Sequence, residues 1–392
     1  MLEASNIQDQ IKLPVALQLC LDDVAWHNGY DERSVGRPSR SGLPRKHAAE
    51  DYVVINELGK AIDMKILCPL CLGEWDKDNL LRGEVGITFD PNNWDRASKI
   101  DYPLAEKCKE TAEACEYLEY AVHGLMHGCY DENGKQLGEQ EYFAPKERGG
   151  RRYPISMADL KRRLDLFRKI YDFWGFQKTI RTFVSPGGVP PHMPLEAFAE
   201  FAQELNSRGY KYWTNGWPQL DDGGYLLNDV IIIKDICHGE APWNAYDFDP
   251  GILSDCNTAW EKKRSVYGMH WANFLRFNPA RNMELLPDWI AFFKRQAEIF
   301  GIMLSKDIAF AANQLLYSKY AKLQATDGKC IIDLTDVVKL PFSQRKNEFY
   351  ISLQKDLIPK SCIGGSMALY ETHIDFCTYK ISHTEDVIQL LF

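Results

Sequence analysis

Three groupings of polar side chains each follow a short apolar segment of the chain. Asp22 and Asp23 follow the segment VALQLCL, His123 and His127 follow LEYAV, and His270 follows SVYGM. Two imidazoles and one carboxylate are a common ligand set for a catalytic divalent metal, with positions left for water. The metal acidifies its bound water, the second carboxylate can accept a proton, and the third histidine can protonate a leaving group. The sequence therefore predicts a metal-dependent hydrolytic site.

Each grouping alone also has an ordinary explanation. Adjacent aspartates often cap helices or remain solvated, a His-x-x-x-His spacing arises by chance, and a single histidine after a strand is often a core residue. The prediction depends on all three groupings ending apolar segments of one chain. In a barrel of parallel strands, functional groups collect at the carboxyl ends of the strands.

The apolar segments alternate with helical patterns along the first three quarters of the chain. The predicted strands are 15–20, 64–68, 118–122, 179–184, 210–213, 230–233 and 265–269. The predicted helices are 48–62, 105–117, 157–174, 195–207, 286–300 and 309–320. This alternation predicts an α/β fold with parallel pairing. We expect a distorted, incomplete (β/α) barrel of about seven parallel strands over residues 1–305, with a doubly wound open sheet as the alternative.

The pattern changes over residues 306–392, after the last predicted helix. Short β-prone segments at 330–334, 348–353 and 368–381 are separated by turn residues, including Gly364 and Gly365. This pattern predicts a small, mainly antiparallel β module as a second domain.

Composition and charge exclude several classes of protein. The net charge of −9 argues against general nucleic-acid binding, and no apolar run is long enough to span a bilayer. The first residues, MLEASNIQDQ, lack the basic and apolar parts of a secretory signal. The 11 cysteines are scattered, and the pair Cys68 and Cys71 has no second pair at zinc-site spacing. We therefore expect a cytoplasmic protein with reduced cysteines, and the pair Cys68 and Cys71 packed as small apolar side chains.

The arrangement of the polar groupings resembles the polysaccharide deacetylase superfamily, which includes carbohydrate esterase family four. Four motifs of that family have counterparts here: Leu21-Asp22-Asp23, His123-Gly-Leu-Met-His127, Arg181 followed by Pro186-Gly187-Gly188, and Met269-His270. The second motif has Gly124 where the family has a hydroxyl residue, and the third lacks an aromatic residue. The family's remaining motif, an Asp near a Trp that orients the late histidine, has only Trp213 and Asp235 as loose counterparts.

The resemblance implies a role for each matching residue. Asp22 would be the general base, and His270 the general acid. Asp23, His123 and His127 would bind the metal, with zinc as the first expectation among divalent ions. Arg181 would orient Asp22, and a backbone N–H of Pro186-Gly187-Gly188 would stabilise the oxyanion. Trp26 and Trp271 lie near strand ends and are candidates for stacking on a sugar ring.

The expected function is hydrolysis of an N-acetyl or related acyl group on a carbohydrate or acetylated small molecule. Two alternatives stay open: the same site could cleave a non-sugar amide, or the chain could be an inactive carbohydrate-binding protein. The sequence predicts no nucleic-acid or membrane partner and leaves a homo-oligomer open.

Overall fold

The computed structural model describes residues 7–25, 43, 45–143, 154–189, 194–214, 222–236, 241–326 and 328–392. Its strands are β1 (Ile11–Lys12), β2 (Val15–Asp22), β3 (Ile66–Cys71), β4 (Leu118–Gly124), β5 (Cys129–Tyr130), β6 (Gln136–Gly138), β7 (Thr182–Val184), β8 (Tyr212–Thr214), β9 (Tyr225–Leu227), β10 (Val230–Ile233), β11 (Asp235–Ile236), β12 (Val266–His270), β13 (Ile302–Leu304), β14 (Lys322–Thr326), β15 (Lys329–Asp333), β16 (Glu348–Gln354), β17 (Ser361–Ile363), β18 (Gly365–Thr372), β19 (Phe376–His383) and β20 (Val387–Leu391).

The α-helices lie mostly between strands of the first part of the chain. They are α1 (Ala49–Ala61), α2 (Tyr102–Ala114), α3 (Met157–Phe173), α4 (Leu195–Ser207), α5 (Asn257–Glu261), α6 (Leu286–Ala297), α7 (Ile308–Tyr320) and α8 (Thr335–Val338). Short 3-10 helices cover Ile7–Gln10, Gly73–Trp75, Pro250–Ile252, Trp271–Phe274 and Pro279–Leu285. None of the helices in the described ranges combines the length and apolar character needed to cross a membrane.

A large, mainly parallel sheet forms the centre of the molecule. Its strand order is β11-β12-β2-β3-β4-β7-β8-β10-β9, with β13 also beside β2, and every pairing except β9–β10 is parallel. Every residue of β2 and β3 is buried, as expected for strands that are covered on both faces. The predicted α/β architecture with parallel strands is confirmed. The carboxyl ends of β2, β3, β4 and β12 therefore meet at one edge.

The two ends of this strand order are joined by consecutive residues. Strand β10 pairs with β8 at one end of the order, and β11 pairs with β12 at the other. Only Lys234 separates β10 from β11. This one-residue link brings the two ends of the strand order close together, which favours closure of the sheet into a barrel. The (β/α) barrel itself stays a prediction.

The carboxyl-terminal part is an antiparallel β module, as the sequence predicts. It contains two four-stranded sheets, β1-β16-β19-β18 and β14-β15-β20-β17. Strand β1 comes from the amino-terminal end of the chain and pairs with β16. Helix α7 connects the large sheet to the module. The boundary predicted at residue 305 stays a prediction, and β1 lies on the amino-terminal side of it.

Candidate active site

Three of the predicted metal ligands converge at the carboxyl edge of the large sheet. The Nε2 atom of His123 lies 3.5 Å from Oδ1 of Asp23, and Nε2 of His127 lies 3.7 Å from the same oxygen. The two imidazole centroids are 5.1 Å apart. Asp23, His123 and His127 are all buried, although Asp23 is more than 90 residues from either histidine in sequence. The structure thus brings together residues that the sequence could only place at separate strand ends.

The backbone at two of these residues adopts a conformation that is uncommon outside glycine. The φ angle is +66° at Asp23 and +48° at His127. Such angles cost free energy in a residue with a Cβ, and they concentrate at functional sites. At Asp23 the left-handed conformation interrupts the strand directly after β2, and parallel pairing with β3 resumes at Val24.

His123 is held in the tautomer that a metal requires. Its Nδ1 donates to the carbonyl of Val184 at 3.0 Å, and Val184 is the last residue of β7. Its Nε2 is buried and has no hydrogen-bond partner among the described residues. Burial lowers the pKa of His123 to about 4, so the ring is neutral near pH 7. A neutral imidazole with one nitrogen fixed by a carbonyl presents a lone pair on the other nitrogen.

These separations suit a metal ion. Ligand atoms about 2.0–2.3 Å from a tetrahedral metal lie about 3.3–3.7 Å from one another. The separations of 3.5 Å and 3.7 Å around Oδ1 of Asp23 agree with that range. The unsatisfied Nε2 of His123 is also explained if it serves as a ligand. Oδ1 of Asp23 thus lies at ligand spacing from one nitrogen of each histidine, and the donor atoms that all lie within 4.8 Å of one another are those of Asp23, Cys71 and His123.

Cys71 is a fourth potential ligand that the sequence analysis assigned to the core. Its Sγ lies 3.8 Å from Oδ1 of Asp23, and the ligand atoms of Asp23, Cys71 and His123 all lie within 4.8 Å of one another. Burial raises the pKa of the Cys71 thiol, and the carboxylates of Asp23, Glu141 and Asp22 raise it further. The predicted strand ended at Cys68, whereas β3 runs to Cys71 and reaches the site.

Glu141 supports the loop that carries the two histidines. Its fully buried carboxylate accepts hydrogen bonds from the backbone N–H groups of Leu125, Met126 and His127 at 2.8–3.0 Å. Burial raises the pKa of Glu141, while Arg163 and the three N–H donors oppose that shift. The sequence analysis gave Glu141 no role. The one feature of the sequence that points to the contact of Glu141 with this loop is Gly124 in the His-Gly-Leu-Met-His motif.

That glycine makes room for the carboxylate. Gly124 has a φ of +144°, and a Cβ added there would lie 2.6 Å from Oε2 of Glu141. A residue with a side chain cannot occupy this position while the carboxylate keeps its place. Gly124 and Glu141 therefore work together to shape the loop.

The predicted acid and base lie on neighbouring strands. His270 is paired in register with Asp22 across β12 and β2, so their backbones are about 4.8 Å apart. Asp22 is 8% exposed and accepts a hydrogen bond from the Cys20 thiol at 3.5 Å. The backbone N–H of His270 donates to Asn273 at the start of the following turn. The pairing places both side chains at the same edge as the three predicted ligands.

The predicted oxyanion turn lies beside the histidine loop. Gly187 and Gly188 have φ angles of +64° and +73°, which glycine adopts without strain. Gln140, next to Glu141, donates to the carbonyl of Gly187 at 2.9 Å. The N–H of Gly188 donates to Ser185 within the turn, and Gly187 is exposed. Pro186 is buried and anchors the turn directly after β7.

Two of the predicted site residues lie elsewhere. Arg181 precedes β7 and donates to Glu119 at 3.3 Å, near the amino-terminal end of β4. Glu119 is about 13 Å along β4 from His123, so the contact of Arg181 lies towards the other end of the strand, and its role in orienting Asp22 stays a prediction. Trp271 is fully buried, and its ring lies 5.4 Å from that of Tyr52. Its ring is enclosed in this structure, and its role in stacking on a sugar stays a prediction. Trp26 lies outside the described residues.

Comparisons with known proteins add distant similarities. No protein-family model and no curated protein sequence matches this chain. The chain is similar to two deacylating enzymes of known structure. One is described as a polysaccharide deacetylase from Mycobacterium smegmatis, with 10% identity, a TM-score of 0.37, and coverage of 71% of this chain and 82% of the other. The second is a family 4 carbohydrate esterase from Streptomyces lividans in complex with acetate, with 10% identity, a TM-score of 0.31, and coverage of 74% and 92%.

A glycosidase is similar at nearly the same level. A family GH27 β-L-arabinopyranosidase from Geobacillus stearothermophilus has 9% identity, a TM-score of 0.30, and coverage of 97% of this chain and 96% of the other. Since enzymes of different chemistry score alike, none of these similarities decides the reaction. The function is inferred below from the residues of the site.

Proposed function

We propose that this protein is a metal-dependent hydrolase that removes an N-acetyl or related acyl group from a carbohydrate. The observation that carries the proposal is the approach of His123 and His127 to one oxygen of Asp23, with the Nε2 of His123 buried and without a hydrogen-bond partner among the described residues. A solely structural histidine would be expected to satisfy both ring nitrogens when it is buried.

Asp23, His123 and His127 would hold the metal, with zinc as the first candidate. When bound, the ion supplies Lewis acidity, which polarises an acyl carbonyl and lowers the pKa of water. The carbonyl of Val184 fixes the ring of His123, and Glu141 fixes the backbone of His127. The ligands are therefore oriented by partners outside the metal's own shell, as is usual for metal sites.

Asp22 and His270 would carry the proton transfers. The carboxylate of Asp22 would accept a proton from the attacking water, and the His270 imidazole would donate one to the departing nitrogen. Their in-register pairing on adjacent strands places both side chains on the same face of the sheet, at its carboxyl edge. Because Asp22 is only 8% exposed, bulk water has limited access to it. The turn at Gly187, which lies beside the histidine loop, would bring a backbone N–H close to the substrate oxygen.

The proposal is tested by measuring metal content and acetate release on the same preparations. We expect about one equivalent of zinc in the wild-type protein, from the three-ligand rule for catalytic zinc. His127→Ala should lose it, and His373→Ala, a buried histidine of the β module, should retain it. N-acetylated amino sugars are the substrates to screen first, with N-acetyl amino acids as the non-sugar alternative.

The general base is tested separately from the metal. Asp22→Asn should keep the metal and lose about 10²–10⁴ in turnover, which is the usual contribution of general acid–base catalysis. Absence of metal from the wild-type protein after incubation with zinc under reducing conditions would overturn the mechanism. Unchanged turnover in Asp22→Asn would remove Asp22 from it.

A further inference from the structure

We infer that Cys71 is a further metal ligand, which makes the site selective for thiophilic ions such as zinc. This inference rests on the proposed metal site and extends its ligand set. The Sγ atom of Cys71 lies 3.8 Å from Oδ1 of Asp23, which is nearly the same separation as that of the two histidine nitrogens from that oxygen. Side chains from two strands, β3 and β4, and from the loop after β4 thus surround a single carboxylate oxygen.

The topology places Cys71 at this point. Strand β3 lies between β2, which leads to Asp23, and β4, which carries His123. Cys71 is the last residue of β3, and the register of β3 with β4 shifts between Leu70 and Cys71, where Cys71 pairs with Gly124. Such an irregularity redirects the following side chain. The N–H of Cys71 donates to the carbonyl of Val24, just after Asp23, and this bond ties the end of β3 to the ligand turn.

A second observation points to a ligand at the same position. The Nε2 of His123 is buried without a hydrogen-bond partner in the described part of the chain, and a ring nitrogen of His123 lies within 4.8 Å of the Cys71 sulfur. His123 itself is 1% exposed. A carboxylate, a thiol and an unsatisfied imidazole nitrogen in one buried cluster are the donor types that bind zinc.

The donor set determines which ion the site prefers. Thiolate sulfur favours zinc and other soft ions, whereas carboxylates and water suit magnesium and manganese. When the metal–sulfur bond forms, the thiol proton leaves to solvent, so no oxidant or reductant is needed. Cys71 would add a sulfur to the carboxylate and imidazole donors, and its loss should both weaken zinc binding and shift the preference towards harder ions.

The test compares Cys71→Ser with Cys68→Ser. Cys68 is a buried cysteine on the same strand whose sulfur donates to the carbonyl of Ile66, so it is a matched control. Zinc affinity is measured by competition with a chelator, and the zinc-to-manganese preference in the same way. Removing an outer partner of a ligand costs 10–100-fold in affinity, so losing a ligand should cost about 100-fold or more. Cys68→Ser should bind zinc as the wild type does.

A spectroscopic measurement on the wild-type protein tests the same inference without requiring that Cys71→Ser folds. The cobalt-loaded wild-type protein should show a thiolate-to-cobalt charge-transfer absorption in the near ultraviolet, and Cys68→Ser should retain it. Cobalt binding without this absorption, or a Cys71→Ser variant with wild-type zinc affinity, would overturn the role of Cys71 and leave the proposed function standing. A wild-type protein that binds neither cobalt nor zinc would overturn both.

Discussion

Glu141 controls the geometry of the two histidines without lying in the ligand set. Three consecutive backbone N–H groups, from Leu125 to His127, converge on its carboxylate. Hydrogen bonds to a charged acceptor are stronger than neutral ones, and losing a partner leaves buried donors unsatisfied. The carboxylate therefore determines where the ring of His127 is placed relative to Asp23.

Replacing Glu141 with glutamine should weaken metal binding while the ligands stay in place. The amide has a single acceptor oxygen, and its NH₂ group would face backbone donors. We expect zinc affinity to fall about 10–100-fold, as for other residues that orient ligands. The free energy of unfolding should fall by about 1–3 kcal/mol. Chelator competition and denaturant titration measure the two effects.

The neighbouring Glu139→Gln provides the control for this prediction. Glu139 is exposed and does not accept from the three backbone N–H groups that bind Glu141, so its substitution should leave zinc affinity unchanged. Equal zinc affinity in Glu141→Gln and Glu139→Gln would show that the loop holds its shape without the buried charge.

At the scale of single residues, the sequence predicts the ligands better than their surroundings. Asp23, His123 and His127 follow apolar segments, so their convergence could be predicted from the parallel order of the strands. Glu141 was missed because its role depends on contacts that the loop makes after folding. The predicted strand 179–184 contained Arg181, whereas β7 begins at Thr182, so Arg181 lies at the amino-terminal end of the strand, away from the carboxyl ends where the predicted ligands collect.

The end of strand β4 depends on a glycine that no other residue replaces well. The backbone of Gly124 has a positive φ, and its missing Cβ leaves space for the Glu141 carboxylate. Gly124→Ala should therefore carry two penalties, one for the backbone angle and one for the clash. We expect the free energy of unfolding to fall by more than the roughly 1–3 kcal/mol that an unfavourable backbone angle costs. Denaturant titration measures this loss.

Gly175→Ala separates the two penalties. Gly175 also has a positive φ, of +69°, and a Cβ added there would have no neighbouring atom within 4 Å. The variant Gly175→Ala should therefore lose stability through the backbone angle alone, and its zinc affinity should equal that of the wild type. If Gly124→Ala were no more destabilised than Gly175→Ala, the packing of Glu141 against Gly124 would not matter.

At the scale of elements, helices and strand ends differ in how well they can be predicted. Helix α4 coincides with the predicted 195–207, and α3 ends one residue before its prediction, because apolar spacing defines a helix over several turns. The predicted segment 368–381 is instead a hairpin of β18 and β19, whose turn falls at residues 373–375. The predicted strand ended at Cys68, whereas β3 continues to Cys71 through Pro69, a residue that cannot donate to a neighbouring strand and that disfavours a strand in the sequence.

The whole molecule is joined through helix α7. Its residues Ala312 and Leu315 belong to the core of the large sheet, and Tyr317 belongs to the core of the β module. Gln314 donates to the carbonyls of Pro14 and Tyr350 and accepts from the N–H of Tyr350. One buried side chain thus connects the amino-terminal segment, α7 and β16. These shared contacts indicate that the large sheet and the module unfold together.

Tryptophan fluorescence can test this coupling, since all 10 tryptophans precede residue 306 and the β module has none. Ile381 is fully buried in the module core, and Ile381→Ala should cost about 2–5 kcal/mol. If the molecule is one cooperative unit, the midpoint of denaturation seen by tryptophan fluorescence should fall as far as that seen by far-ultraviolet circular dichroism. Ile374→Ala, at a module residue that is 72% exposed, should leave both midpoints unchanged. A fluorescence midpoint that stays at the wild-type value in Ile381→Ala would mean that the module folds independently. The metal site would then have to be stable without the module, because its ligands all lie on the large sheet and its loops.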